Sequence, residues 1–374
     1  MNGTIRVGNL FGIPFYIHPS WFLILGLVTW TYSSQLALFP QLSWGLALIL
    51  GLTTALLLFG SVVAHELGHS FVAIRQGIDV KSITLFIFGG LASLEKESET
   101  PAGAFWVAIA GPLVSLGLFG TFTGVGFATG ASGAMGAIIG LLASVNLVLA
   151  LFNLIPGLPL DGGNILKSIV WKITGNPYKG VGFASRIGQI IGWIAIASGL
   201  IPLIFFSSFG NFWNVLIGFF LLQNAGSSAQ YARVQEQLTG LTAADAVTNN
   251  SPVVTANLTL REFADERILN WQNWHRFLVT DENGQLVGAI TVESLRSIPT
   301  TLWTETPIRE VMQPIEASNT IPSTQSLLEV VKLLETRRIS ALPVVQDNGV
   351  LLGILEKGSI INLIQTRKVQ INPA

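Results

Sequence analysis

Six stretches of this chain are almost wholly apolar, each near or above the ~20 residues a helix needs to cross a hydrocarbon core. They cover roughly residues 19–38, 45–74, 103–127, 133–155, 183–206 and 210–229. Several are rich in glycine, which suits close helix packing in lipid. The last is the weakest, because Asn211, Asn214 and Gln223 interrupt it. Between the second and third stretches the period changes. Val80–Glu95 alternates loosely and contains Phe88-Gly89-Gly90, which predicts an extended or hairpin segment dipping into the protein on the cytosolic side. Non-helical backbone at that depth is tolerated only where protein or water satisfies it. The pattern predicts a polytopic α-helical membrane domain of about six spans over residues 1–229.

After Arg233 the pattern becomes that of a soluble protein, and it repeats. Phe277-Leu278-Val279-Thr280-Asp281-Glu282-Asn283-Gly284 corresponds to Leu342-Pro343-Val344-Val345-Gln346-Asp347-Asn348-Gly349, 65 positions on. Each copy is an apolar strand, an Asn-Gly turn and a second apolar strand, the strongest short hairpin signal. Helix-like stretches precede the hairpins (259–270 and 325–337) and follow them (292–298 and 357–366). Neither unit buries its sheet well alone, so the repeat predicts a paired α+β module.

Composition sharpens the division. Half of the residues are hydrophobic, 11% are charged, and the mean hydropathy is +0.58; soluble domains run nearer about 25% charged. Between Arg6 and Arg75 the only charge is Glu66, and between Glu99 and Lys167 it is Asp161. The loops near 39–44, 128–132 and 207–209 carry no Lys or Arg. The opposite side holds Arg6, Arg75, Lys81, Lys96, Lys167, Lys172, Lys179 and Arg186. Positive loops stay inside, so both termini are expected in the cytosol. The N-terminus does not read as a removable signal peptide. A net charge of −1 gives no reason to expect a nucleic-acid partner, and the absence of cysteine excludes thiolate metal sites.

The candidate chemistry lies in His65-Glu66-Leu67-Gly68-His69. Four residues along a helix return both imidazoles to one face about one turn apart, where both can bind one Zn²⁺. Glu66 lies on the neighbouring flank, placed to take a proton from water at the metal. Chance accounts for many His-Glu-x-x-His matches. Here, however, the ionisable groups sit deep in an uncharged span, where they are costly and point to function. A catalytic zinc site wants a third protein ligand. Asp161 is favoured over His18, whose alternative is an interfacial role; for Asp161 the alternative is an N-cap of a helix over 162–174. His275 falls in the soluble part. Asn153, inside apolar sequence, can donate to a tetrahedral oxyanion, or simply to a neighbouring helix.

His65-Glu66-x-x-His69 together with Asn153-x-x-Pro156-x-x-Pro159-x-Asp161-Gly162 resembles the site-2 protease family of intramembrane zinc metalloproteases. Phe88-Gly89-Gly90 and Gly111-Pro112-Leu113-Val114-Ser115 also fit that family. The resemblance covers residues 1 to about 229. It implies one zinc held by His65, His69 and Asp161, with Glu66 as general base and Asn153 as oxyanion partner. It implies that segment 80–95 holds substrate as an extended strand, and that single-span membrane proteins such as anti-sigma factors are cut. The tail, after a linker at 230–240, resembles a tandem of CBS domains at about 241–298 and 307–366, a pairing found in a bacterial branch of the family. This implies a bacterial cell membrane, homodimerisation through the CBS pair, and an adenine nucleotide as ligand. Against the nucleotide, the positions of that family's ribose-binding Asp hold Ser294 and Ser359 here. The competing functions are a CBS-gated membrane transporter and a non-proteolytic membrane scaffold. The transporter needs a polar pathway, whereas the buried acids here are confined to Glu66 and Asp161.

Overall fold

The structure is a computed structural model and describes residues 3–87, 89–206, 212–248, 251–268, 274–315 and 319–371. It divides into two compact units, Met1–Arg233 and Val234–Ala374.

The first unit opens with strands β1 (Ile5–Leu10) and β2 (Ile13–Ile17), then helices α1 (Ser20–Leu36) and α2 (Trp44–Arg75). Strands β3 (Val80–Phe86) and β4 (Gly89–Leu94) follow. Helices α3 (Pro101–Thr129), α4 (Gly133–Asn153), α5 (Asp161–Thr174), α6 (Pro177–Phe206) and α7 (Phe212–Leu238) complete it. The strands form one sheet in the order β1-β2-β3-β4, with β2 parallel to β3 and the other pairs antiparallel. The hairpin expected at 80–95 is β3–β4; Phe88 lies outside the described residues. The β1–β2 hairpin was not foreseen. Ile5 to Asn9 are all exposed, so β1 shows no alternation, and the tight turn at Phe11 (φ 51°) and Gly12 (φ 85°) replaces an Asn-Gly signal.

Helix ends follow local chemistry. Ser43 Oγ caps α2 by accepting from Leu46 N–H at 3.4 Å, and Thr100 Oγ1 caps α3 by accepting from Gly103 N–H at 3.1 Å. Among the described residues four helices, α2, α3, α4 and α6, are long and apolar enough to cross a membrane. This refines the expectation of about six: α1 closes at 17 residues in the turn before Pro40, and α7 carries Asn214, Gln223 and Asn224. Asn146 of α4, fully buried, donates Nδ2 to Ser61 Oγ of α2 at 3.0 Å, an interhelical bond of the kind that joins helices in lipid. The sheet packs Ile13 and Ile83 on Leu67 of α2, so α2 stands between the sheet and α3.

The second unit holds β5 (Val253–Thr255), a short helix α8 (Leu260–Glu262) that widens over Phe263–Ile268, β6 (Arg276–Thr280), β7 (Leu286–Thr291) and α9 (Val292–Leu295). Then come β8 (Gln313–Pro314), β9 (Ile321–Pro322), α10 (Leu327–Thr336), β10 (Ala341–Val345), β11 (Leu351–Glu356) and α11 (Lys357–Ile371). Both expected hairpins, β6–β7 and β10–β11, are present, with Gly284 and Gly349 at φ 77° and 83° in their turns. The repeat is reciprocal in space. Leu286 N–H donates to Gly349 O at 3.1 Å, and Leu351 N–H donates to Gly284 O at 2.9 Å, so each turn seats the other.

Candidate metal centre

α2 brings His65 and His69 to one face, one turn apart, with their rings edge to face at 5.0 Å. Asp161 comes from the first residue of α5 and meets them from the opposite side. His65 Nε2 lies 3.1 Å and His69 Nε2 3.3 Å from Asp161 Oδ2, and the two Nε2 atoms are 3.3 Å apart. Among the described residues this is the one group of three or more potential ligands so arranged.

The donor set fits a tetrahedral ion. Ligand bonds of ~2.0–2.1 Å around a tetrahedral zinc place donor atoms about 3.3–3.4 Å apart, and the three separations here match one face of that figure. The outer contacts agree. His69 Nδ1 stands 2.6 Å from the Val107 carbonyl. A carbonyl only accepts, so Nδ1 is the protonated nitrogen, and in the neutral ring Nε2 turns a lone pair toward an acceptor-only carboxylate. A shared cation relieves that opposition. His65 Nδ1 is held by Ser115 Oγ at 2.9 Å, both buried. These are the partners that orient metal-ligating imidazoles.

Val107, Gly111 and Ser115 recur every four residues and form one stripe of α3. Gly111 faces the ligands directly: a Cβ there would stand 2.2 Å from His69 Nε2 and 2.7 Å from His65 Nε2. Gly68 keeps α2 equally close, since its Cβ would meet the Ala110 carbonyl at 2.9 Å.

Glu66 turns to the sheet. Its Oε2 accepts from Ala92 N–H of β4 at 3.1 Å, and a Cβ on Gly90 would lie 2.5 Å from Glu66 Cγ. The outer edge of β4 therefore faces the acid beside the ligands. Asp161 is aimed by the turn Leu154–Leu160. Gly157 and Gly163 nest together, Leu158 N–H donates to Ala184 O of α6 at 3.2 Å, and a Cβ on Gly188 would fall 2.1 Å from Leu158 O. Asn153, half-buried at the end of α4, donates Nδ2 to Leu149 O of its own helix at 3.0 Å. His18 is outside the group, with Nδ1 against Ser20 Oγ at 2.7 Å, and His275 belongs to the second unit.

Sequence reasoning missed the roles of the Val107 carbonyl and the Ala92 N–H, since a backbone group leaves no residue signature. Ser115 and Gly111 were quotable as a motif, but the function of each emerges only from the α2–α3 packing.

Comparison with known proteins identifies the family. The family described as Peptidase family M50 matches residues 53–131 and 125–195, and the CBS domain family matches 243–301 and 296–366. The protein sll0528 of Synechocystis sp., a zinc metalloprotease by name, is 58% identical over 366 residues, covering 98% of this chain and 97% of that one. Zinc metalloprotease MJ0392 of Methanocaldococcus jannaschii is 30% identical over 364 residues, covering 96% of each. A solved site-2 protease from the same archaeon covers 60% of this chain and 95% of its own at 30% identity, with a TM-score of 0.42.

Proposed function

The chain belongs to peptidase family M50, the site-2 proteases, and is an integral-membrane zinc metalloprotease with a CBS pair; on that premise we propose that it hydrolyses peptide bonds of membrane-spanning proteins at one zinc held by His65, His69 and Asp161. The observation that carries this is the convergence of three acceptor atoms within 3.1–3.3 Å of one another.

Bound zinc supplies Lewis acidity, acidifying water and polarising a carbonyl. The protein does the rest. The carboxylate of Glu66, held toward the reacting position by Ala92 N–H, takes a proton from the attacking water and passes it to the departing nitrogen. Asn153 has a second amide N–H beyond the one spent on Leu149, and donates it to the oxyanion. A helical substrate has its carbonyls engaged in its own hydrogen bonds, so it must unwind; the outer edge of β4 receives it as an added strand. We read this side, both termini and the CBS pair as cytosolic in a bacterial cell; the Lys and Arg gathered in the loops of that side support the reading.

The test is Glu66→Gln in the full-length protein. It should retain zinc and lose cleavage of a co-expressed single-span substrate; undiminished cleavage refutes the assignment. Asp161→Ala should lose both.

The CBS pair is proposed to regulate cleavage. Leu238, a residue of the second unit, is buried in that unit's core with Leu327 and Ile360, so the CBS pair begins within a few residues of the membrane unit's end at Arg233. Ser294 Oγ and Ser359 Oγ are engaged within their own helix starts, with Thr291 Oγ1 at 2.9 Å and Glu356 O at 2.8 Å. Neither hydroxyl supplies the carboxylate that the CBS resemblance expects at a ribose, and we read the pair as lacking an adenine-nucleotide site. Calorimetry of the full chain with ATP, ADP and AMP tests it: no heat is expected, and heat with any of them reinstates the nucleotide.

A further inference from the structure

Lys167 is a buried cation that the chemistry above does not use. It lies on α5, six residues after Asp161, with about 11% of its side chain exposed. Lysine is almost never buried this far unless paired. Its partner is Glu97 Oε2, from the segment that follows β4, and Glu97 itself is 80% exposed. An exposed carboxylate of this loop thus covers the end of a largely buried cation on the helix that carries Asp161.

The remaining contacts show what this joins. β4 is held at its middle by Ala92 N–H on Glu66. The segment after it is held on one side by Ser98 Oγ, which donates to Gln76 Oε1 just beyond α2. On the other side its tie is Glu97 to Lys167. α5 is fixed at its start by the nested glycines around Asp161. The ion pair thus ties the segment that follows β4 to α5, the helix that carries Asp161.

We propose that Lys167 and Glu97 form a positioning latch that fixes the opening between β4 and α5 and so governs how substrate engages, without touching the reacting atoms. This deepens the proteolytic reading and, for its effect on catalysis, rests on it. Neutralising Glu97 leaves an unpaired buried charge that α5 and the loop must separate to hydrate. With one partner exposed to solvent, a pair of this kind corresponds to roughly two- to fivefold in an equilibrium.

The chain has no cysteine, so spin labels can be placed at will. Leu91 on β4 and Ile169 on α5 are both exposed. With Leu91→Cys and Ile169→Cys labelled in the full chain, the inter-label distance distribution should be narrow. Glu97→Gln should broaden and lengthen it, Lys167→Met should do the same, and the exchange of Glu97→Lys with Lys167→Glu should restore it. Zinc content, unchanged in all, reports the fold. With a single-span substrate that the parent cleaves, Glu97→Gln should raise KM about three- to fivefold, leave kcat within about 1.5-fold, and be rescued by the exchange. A distribution indifferent to Glu97→Gln, or an exchange that restores neither distance nor KM, overturns the latch. The distances require no cleavage, so failure of the latch is separate from failure of the proteolytic reading.

Discussion

Replacing Gly111 by Ala puts one methyl group where the ligand atoms already are. Its Cβ would stand 2.2 Å from His69 Nε2, 2.6 Å from His69 Cε1 and 2.7 Å from His65 Nε2. Ordinary contact begins near 3.4 Å, so the rings or α3 must give by about 1.2 Å, the difference between 3.4 and 2.2. Metal bonds tolerate about ±0.2 Å. Retreat of α3 would give up its close packing on α2, where Gly68 lies against the Ala110 carbonyl and Val114. The imidazoles must therefore leave the positions that Val107 and Ser115 hold them in. Disturbing such supports alone costs 10–100-fold in metal affinity; with both rings displaced, the expected loss is about 100-fold or more, about 2.7 kcal/mol. Zinc retained against a graded chelator measures this, with circular dichroism and gel filtration in detergent as fold controls. Gly117→Ala, on the same helix with nothing within 4 Å of its Cβ, should bind as the parent does. A folded Gly111→Ala protein that binds zinc within about threefold of the parent refutes the reasoning, since a displaced ligand must cost at least the tenfold of a lost support.

Three further outcomes are expected. Ser115→Ala should lower zinc affinity about 10–100-fold with the helices intact, by freeing the His65 ring; the same chelator titration checks it. Gly188→Ala, whose Cβ would fall 2.1 Å from Leu158 O, should displace the turn that aims Asp161 and lower zinc retention and cleavage in parallel, whereas Gly182→Ala on the same helix should do neither. In the second unit, Glu262 accepts from Thr259 N–H and Oγ1, and these bonds, the backbone one first, hold its carboxyl below the usual 4.5. A lowered folded pKa means that its contribution is present above pH 4.5 and is lost as pH falls through the folded value. The melting-temperature gap between parent and Glu262→Gln should therefore be constant near neutrality and close below pH 4.5; a gap that persists there contradicts the cap.

Much of this was legible because the relevant signals are local. His65 and His69 are one helical turn apart, so spacing alone puts them on one face. Asp161 stood out by isolation, the only acid in a long apolar tract. Asn283-Gly284 and Asn348-Gly349 announced their hairpins because the turn demands φ > 0. What stayed hidden depends on partners far along the chain. Glu97 and Lys167 are 70 residues apart and each reads as an ordinary surface charge. β1 gave no signal because both of its faces are exposed. The expected spans at either end of the membrane unit stand apart from the four longer ones for different reasons: α1 has 17 residues, and α7 carries amides along its apolar stretch.

X-ray absorption at the zinc edge of the purified full-length protein tests the central claim most directly, because it counts the imidazoles around the metal. The account predicts one zinc with two imidazoles and oxygen donors at ~2.0–2.1 Å, and loss of one imidazole and most of the metal in His69→Ala. A first shell with three imidazoles or none, or a spectrum unchanged by that substitution, would contradict it.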